Sequence, residues 1–300
     1  MNIKITNKLL AGLILSWGIF SSCTSQDTSI TSNQEGKVPL QVSSTHISAE
    51  ITRAVLTSGA IGVFQTKITD GYSFVCNRKY AYTLDQWKTT EGDIMLNKNN
   101  AALCAYVPYN IAITDFKAIP LSAGKFTDEG GQLAYATLMA DPVNMFHNVV
   151  NFNMEHAYSR ISLKIKRGTY SGTGAISDIT IKGNGIYSSA NLNIASGIYT
   201  DLVSGEVSYN PEISSIGNSG DVIETGFQVI PSESFSNGIY FSFIVDGYHL
   251  SANSSFTKLE AGVNYVVTVE LNGTAVLPSI SMTDWKVVPY DQEFESGVSV

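Results

Sequence analysis

The sequence predicts an all-β protein made of sandwiches, on three observations. Apolar and polar residues alternate with period two along several runs, as in "ISLKIKRG", where Ile161, Leu163 and Ile165 alternate with polar partners. Turn dipeptides follow such runs: Asp246–Gly247 after "GIYFSFIV" and Asn272–Gly273 after "AGVNYVVTVEL". β-branched and aromatic residues fill the runs. One short stretch, "TLDQWKTTEGDI" (residues 83–94), is compatible with a helix. Strands punctuated by turns at short intervals are the pattern of a β-sandwich.

The elements follow in chain order. At the start, Lys4 and Lys8 precede an apolar run from Leu9 to Phe20, then small residues and Cys23. Basic, apolar, then small is the layout of a secretory signal over residues 1–22. The run is shorter than the ~20 apolar residues a membrane span needs. "FSSC" resembles a bacterial lipobox, with Phe20 and Ser22 in place of the commoner Leu and Gly or Ala. That resemblance implies that Cys23 is lipidated. Several acyl chains would then hold the protein to a membrane, at ~0.8 kcal/mol per buried CH₂. The alternative is an ordinary secreted protein in which Cys23 is incidental to the signal. Residues 24–37, "TSQDTSITSNQEGK", lack periodicity and read as a tether. Val38, Leu40 and Val42 then alternate as a strand.

Further on, a change of pattern near "FHNVVNFNMEHAYSR" places a domain boundary at residue 150, giving domains over 54–150 and 151–285. The length suits two domains at roughly 150 residues each. In the second, Ile179 and Ile181 alternate and the chain turns at Gly183–Gly185. Val263, Tyr265, Val267, Val269 and Leu271 form another strand face. At the end, residues 286–300 alternate again: Val288, Tyr290, Phe294, Val298 and Val300 on one face, with Asp291, Glu293 and Glu295 on the other. Chain ends are usually polar and frayed. This one reads as a strand with a face to bury, either as an edge strand of its own domain or against another molecule.

The residues of familiar chemistry are missing. A net charge of −8 argues against nucleic acid as a partner. The four histidines and three cysteines have no metal spacing, and no G-x-S-x-G elbow occurs. "GNGIYS" begins like a phosphate loop but lacks the third glycine and the following helix, and reads as a turn. No catalytic residue, metal or cofactor is expected, and the chain does not read as an enzyme. Cys76 and Cys104 are either two separate buried thiols or a disulfide, whose loop closure would stabilise by roughly 3 kcal/mol.

Several stretches, in order and spacing, resemble the fimbrillin family of pilus subunits. They are "THISAEITRAVLTSGAIGVFQTK", "ALCAYVPYN" with Ala105-Tyr106-Val107-Pro108-Tyr109, "QLAYATL…NVVNFNMEHAYSRISLKIKRG", "QVIPSES", and "LEAGVNYVVTVELN…ISMTDW". Each is weak alone, and together they cover nearly all of the chain after the signal. The resemblance implies two tandem transthyretin-like β-sandwiches. It also implies a lipoprotein carried to the outer membrane by its lipid and matured by an Arg-specific protease. The matured subunit is then polymerised on the cell surface with copies of itself or related pilins by strand exchange. Arg53 is the only arginine before Arg78, so Arg53–Ala54 is the expected cut and residues 23–53 the tether and removable segment. The alternative for Arg53 is a solvated loop residue. The tail residues Val288, Tyr290, Phe294, Val298 and Val300 would be the donor strand. A second reading is a lipid-anchored monomer, a pilus anchor or a tip subunit, binding glycan or a host protein through its loops.

Overall fold

The computed structural model describes residues 36–48, 53–126, 133–138, 142–235, 237–275 and 277–289. The protein is all-β, with no helix among the described residues. Among the described residues, twelve strands precede residue 157: β1 (Val38–Pro39), β2 (Gln41–Ser48), β3 (Arg53–Val55), β4 (Ala60–Gln65), β5 (Val75–Thr83), β6 (Gln86–Lys88), β7 (Met95–Leu96), β8 (Leu103–Val107), β9 (Ile119–Ser122), β10 (Gly124–Lys125), β11 (Ala134–Leu138) and β12 (Val149–His156). Ten follow: β13 (Ser159–Arg167), β14 (Ile176–Lys182), β15 (Tyr187–Asn193), β16 (Ile198–Ser204), β17 (Val207–Tyr209), β18 (Val222–Val229), β19 (Tyr240–Val245), β20 (Tyr248–Asn253), β21 (Val263–Thr274) and β22 (Leu277–Pro289).

In the first half, eight strands form one sheet in the order β3-β2-β12-β11-β8-β4-β5-β6. It curls until β2 comes back beside β6, enclosing a core that includes Leu40, Val42, Val63, Leu103, Phe152 and Met154. β12 shows the cause most plainly. Its Val150, Phe152, Met154 and His156 point inward and the residues between them are exposed, the alternation of a strand wetted on one side. In the second half, the sheet β10-β18-β13-β21-β22 lies over the sheet β17-β14-β19-β20. Ile161, Leu163, Ile165, Val267 and Val269 of the first meet Ile179, Ile181, Phe241 and Phe243 of the second, all fully buried. The expected faces of β13, β14 and β21 are therefore the observed ones.

A third core joins the halves. β4 and β8 are apolar on both sides, so Phe64, Cys104 and Tyr106 face away from the first core. They are covered by the small sheet β16-β15-β9, through Ile119, Leu121, Ala190 and Leu192. β9 comes from the first half and β15 from the second, with Leu121 opposite Ala190. Next along the chain, β10 pairs with β18, placing Lys125 opposite Phe227. The chain then returns to β11 and β12 before it passes to β13. That passage occupies Ala157 and Tyr158, and residue 150, where a boundary was expected, falls inside β12.

Two local expectations are corrected, and one alternative left open is decided. Residues 83–94 are not helical. Thr83 pairs with Gln86, and Leu84 and Asp85 between them both have positive φ (50° and 58°), which makes a two-residue hairpin turn with Leu84 in solvent. Asn272–Gly273 is not the turn after β21, because the ladder continues to Thr274 opposite Leu277. The Asn272 side chain is engaged elsewhere: its Oδ1 accepts from Thr169 N at 2.9 Å and from Thr169 Oγ1 at 3.1 Å. Cys76 and Cys104 do not form a disulfide with each other, since Cys104 is a free, buried thiol. Cys76 is on β5 and Cys104 on β8, opposite Phe64, with β4 between the two strands. Two strand spacings are ~10 Å, beyond the ~7 Å Cα separation a disulfide tolerates. Burial pushes the Cys104 thiol up to about 12, so it stays protonated.

Asp246–Gly247 is the expected hairpin turn, with Val245 opposite Tyr248 and positive φ at both turn residues. The turn also anchors a loop. Asp246 accepts from Tyr170 Oη at 2.7 Å, Gly174 N at 2.9 Å and Ala175 N at 2.9 Å. Burial raises the pKa of this carboxyl, but the hydrogen bonds from Gly174, Tyr170, Ala175 and Thr173 outweigh it, and the group sits below its ordinary value. A depressed carboxylate contributes stability above its unfolded pKa, ~3.9, and loses it as pH falls through the folded value. Asp246→Asn should therefore cost about 1–3 kcal/mol at pH 7. The gap from the parent should narrow as pH falls below about 4. Urea titrations at pH 7 and pH 3 measure both numbers, and a gap of equal size at both would refute the assignment.

Candidate functional site

The chain's first described strands are the candidate site. β2 lies between β3 and β12. It runs parallel to β12, from Gln41 opposite Val149 to Ile47 opposite Met154, with a register shift at Val150/Asn151. Parallel ladders are slightly weaker per residue than antiparallel ones. Leu40 and Val42 are buried in the first core and Ile47 packs against it. Upstream, Val38 pairs with Leu96, and Leu40 N donates to Ile94 O at 2.8 Å.

Beyond its ladders, few hydrogen bonds tie β2 to the body among the described residues. Gln41 N donates to Asn148 O at 2.8 Å and Asn148 Nδ2 to Pro39 O at 2.9 Å. Ser44 Oγ donates to Asn151 Oδ1 at 2.7 Å, and His46 Nε2 lies 2.9 Å from the same Oγ. Thr45 is fully buried, and its hydroxyl has no hydrogen-bond partner among the described residues. A buried unsatisfied hydroxyl costs about 1–3 kcal/mol, so β2 is held less firmly than its apolar contacts suggest. Were β2 absent, the main chain of β12 would become a free sheet edge beside Val150, Phe152 and Met154.

Arg53 and Ala54 are not in a loop. They open β3, the short edge strand paired antiparallel with β2, with Ser48 opposite Arg53 and Ile47 opposite Ala54. At the other end, β22 runs to Pro289 against β21, and Val288 lies opposite Asn264 in its own domain's sheet. Tyr290, Phe294, Val298, Val300 and Cys23 lie outside the described residues. The parallel register of β2 on β12 and the β9–β15 staple were not foreseen, because such long-range pairings carry no turn signal. Among the described residues no three His, Cys, Asp or Glu gather as a metal site.

The described residues form an all-β fold of two cores joined by a third, with β2 between β3 and β12 and β22 at the edge beside β21. The model of the fimbrillin-like family matches residues 52–285, and the chain belongs to that family. The family consists of structural fimbrial proteins, not enzymes. Among solved structures, the fold is similar to that of a candidate cell-adhesion protein from Bacteroides ovatus. The identity is 15%, the TM-score 0.59, and the match covers 86% of this chain and 100% of that one. A second candidate cell-adhesion protein, from Bacteroides uniformis, is 19% identical with a TM-score of 0.55, over 85% and 99% of the two chains. No curated protein matches the sequence.

Proposed function

We infer that the chain is a structural subunit of a cell-surface pilus that supports adhesion, exported to the outer membrane as a lipoprotein through Cys23. An Arg-specific protease cuts at Arg53–Ala54, and the lipid leaves with residues 23–53. The strand lost is β2, and its slot beside β12 accepts the tail of another copy or of a related pilin. Tyr290, Phe294, Val298 and Val300 fill the slot from their apolar face, with Val288 at the root of the donated strand. This is strand addition: main-chain hydrogen bonds give affinity and alternate side chains give register.

The observation that supports this reading best is the placement of β2. It fills the core of the first half, yet precedes Arg53 in sequence and rests on β12 by a parallel ladder. Removing it opens an apolar groove and leaves β4 to β12 connected. Native digestion of the full chain with an Arg-specific protease, followed by gel filtration and N-terminal sequencing, tests it. The expected product starts at Ala54 and has lost the segment before it. A chain that resists the protease, or starts elsewhere, is not matured in this way and would keep its strand as an anchor does.

A further inference from the structure

Three Asn–Gly dipeptides occur in the chain: Asn184–Gly185, Asn237–Gly238 and Asn272–Gly273. Such a pair can react with itself, because the glycine nitrogen can attack the side-chain carbonyl before it. Glycine has no Cβ to block that approach. The first pair sits in an exposed turn, closed by Ile186 N donating to Gly183 O at 3.1 Å. In the second, the main-chain oxygen of Asn237 accepts from Asn253 Nδ2 at 3.0 Å. In neither pair does the side-chain amide oxygen accept a hydrogen bond among the described residues.

Asn272–Gly273 is held differently. It lies near the end of β21, with Asn272 opposite Ser279 and Gly273 opposite Pro278 of β22. Thr169, just past the end of β13, reaches both reacting groups. Its N–H donates to Asn272 Oδ1 at 2.9 Å, and its hydroxyl donates to the same oxygen at 3.1 Å. A main-chain N–H can bond the amide oxygen but not the amide nitrogen, so the orientation of the Asn272 amide is set. The same hydroxyl accepts from Gly273 N at 3.2 Å. Nucleophile and electrophile are therefore both tied to one oxygen atom. Two donors on a carbonyl oxygen stabilise the charge that grows there under attack. A hydroxyl placed between an N–H and that oxygen can pass a proton from the first to the second. The segment carrying Thr169 is itself pinned, by Gly168 N on Leu271 O at 2.9 Å and Ser171 N on Gly273 O at 3.2 Å. Gly273 has a φ of 91°, a conformation that suits glycine and few other strand residues.

We propose that Asn272 is a self-modifying site, deamidated through a cyclic imide with Thr169 as the proton relay. The lone pair of Gly273 N forms a bond to Asn272 Cγ. The proton of that nitrogen passes to Thr169 Oγ1, and the hydroxyl proton passes to Oδ1. The tetrahedral carbon then expels the side-chain nitrogen, which takes up the proton from Oδ1 and leaves as ammonia. Water, the co-reactant, opens the imide at either carbonyl, to aspartate or to isoaspartate. Thr169 is exposed, so water has access. Either product places a negative charge near Glu270, since Glu270 Oε1 and Asn272 Oδ1 both border Gly168. Isoaspartate also adds one carbon to the main chain of β21, which displaces the last rungs, Gly273 on Pro278 and Thr274 on Leu277. The β21–β22 hairpin thus loosens with age at its turn. None of this depends on a cut at Arg53 or on the tail.

The test incubates the full chain, folded or in urea, at mildly alkaline pH. Peptide mass mapping reads conversion at each Asn–Gly pair, and isoaspartyl methyltransferase is the probe for isoaspartate. In the folded chain Asn272 should convert at least about tenfold faster than Asn184 or Asn237. In urea the three rates should draw together, because the fold supplies the difference. Thr169→Val should lose the advantage of Asn272, and Thr169→Ser, which keeps the hydroxyl, should retain it. Urea titration checks that each variant is folded, and if Thr169→Val is not, the parent and Thr169→Ser in and out of urea decide the matter. If Asn272 is the slowest of the three in the folded chain, the ladder protects it and the proposal fails. It fails equally if folded Thr169→Val converts as fast as the parent, or if the advantage persists in urea.

Discussion

A chain ending at Pro289 should fold as the parent does and fail to form polymers at all. The fold is expected to survive because every rung from Leu277 to Pro289 is kept, against Thr274 to Val263. Val267, Val269 and Leu271, buried in the second core, keep their neighbour strand. Ending the chain after Trp285 would be a poorer experiment: it removes the rungs opposite Val263 to Val266 and bares the edge of β21. Polymerisation is expected to fail because the apolar face of the tail is what fills the slot. Burying one phenylalanine contributes about 1.5–3 kcal/mol, or about one to two decades of affinity at every joint. Phe294→Asp alone should therefore shorten polymers severely, whereas neutral replacement of Asp291, Glu293 or Glu295 should be tolerated on the wet face. Electron microscopy after processing, with urea titration of the same samples, reads both outcomes. A shortened chain that unfolds puts the tail in its own core. One that still polymerises puts the donor strand elsewhere.

How much of this was legible in the sequence depended on how each strand meets water. β13, β14 and β21 bury one face, so their alternation shows in Ile161, Ile179 or Val267. β4 and β8 bury both faces, so "AIGVFQ" and "LCAYV" show an apolar run without a period, and the third core was invisible. Local turn chemistry succeeded at Asp246–Gly247, where the side chain serves the turn. It failed at Asn272, whose amide oxygen is bound to Thr169, far away in sequence. Leu84 is a poor residue for a positive φ, and the turn it makes followed from the ladder around it rather than from its own preference. At the candidate site, Arg53 and the alternation of Val38, Leu40 and Val42 were readable. The strand on which β2 rests was not, because a parallel partner about a hundred residues away leaves no local trace.

Gly62 should be among the positions least tolerant of change, for a reason that links two of the stretches shared in pattern with the family. It lies in "IGVF" on β4, directly opposite Tyr106 of "AYVPY" on β8. A Cβ on residue 62 would collide with Asn77 Oδ1 and the Tyr106 ring, coming within 2.7 Å of Cζ. Neither neighbour can yield. Tyr106 is fully buried, and its hydroxyl lies 2.9 Å from Asn77 Oδ1 and from Asn110 O, while accepting from Asn110 N at 3.1 Å. Asn77 Nδ2 is bound in turn to Asn110 O at 2.9 Å. Overpacking of this kind costs about 1–3 kcal/mol and occasionally more, so Gly62→Ala should lie at the upper end and Gly62→Val beyond it. The cause can be isolated. In a Tyr106→Leu background the ring is gone, and Gly62→Ala should cost less by a coupling of about 1–3 kcal/mol, measured by a urea double-mutant cycle. If the two changes simply add, the ring is not what the glycine makes room for. The intolerance would then lie with Asn77 Oδ1, the other atom in the way, or in the backbone of β4.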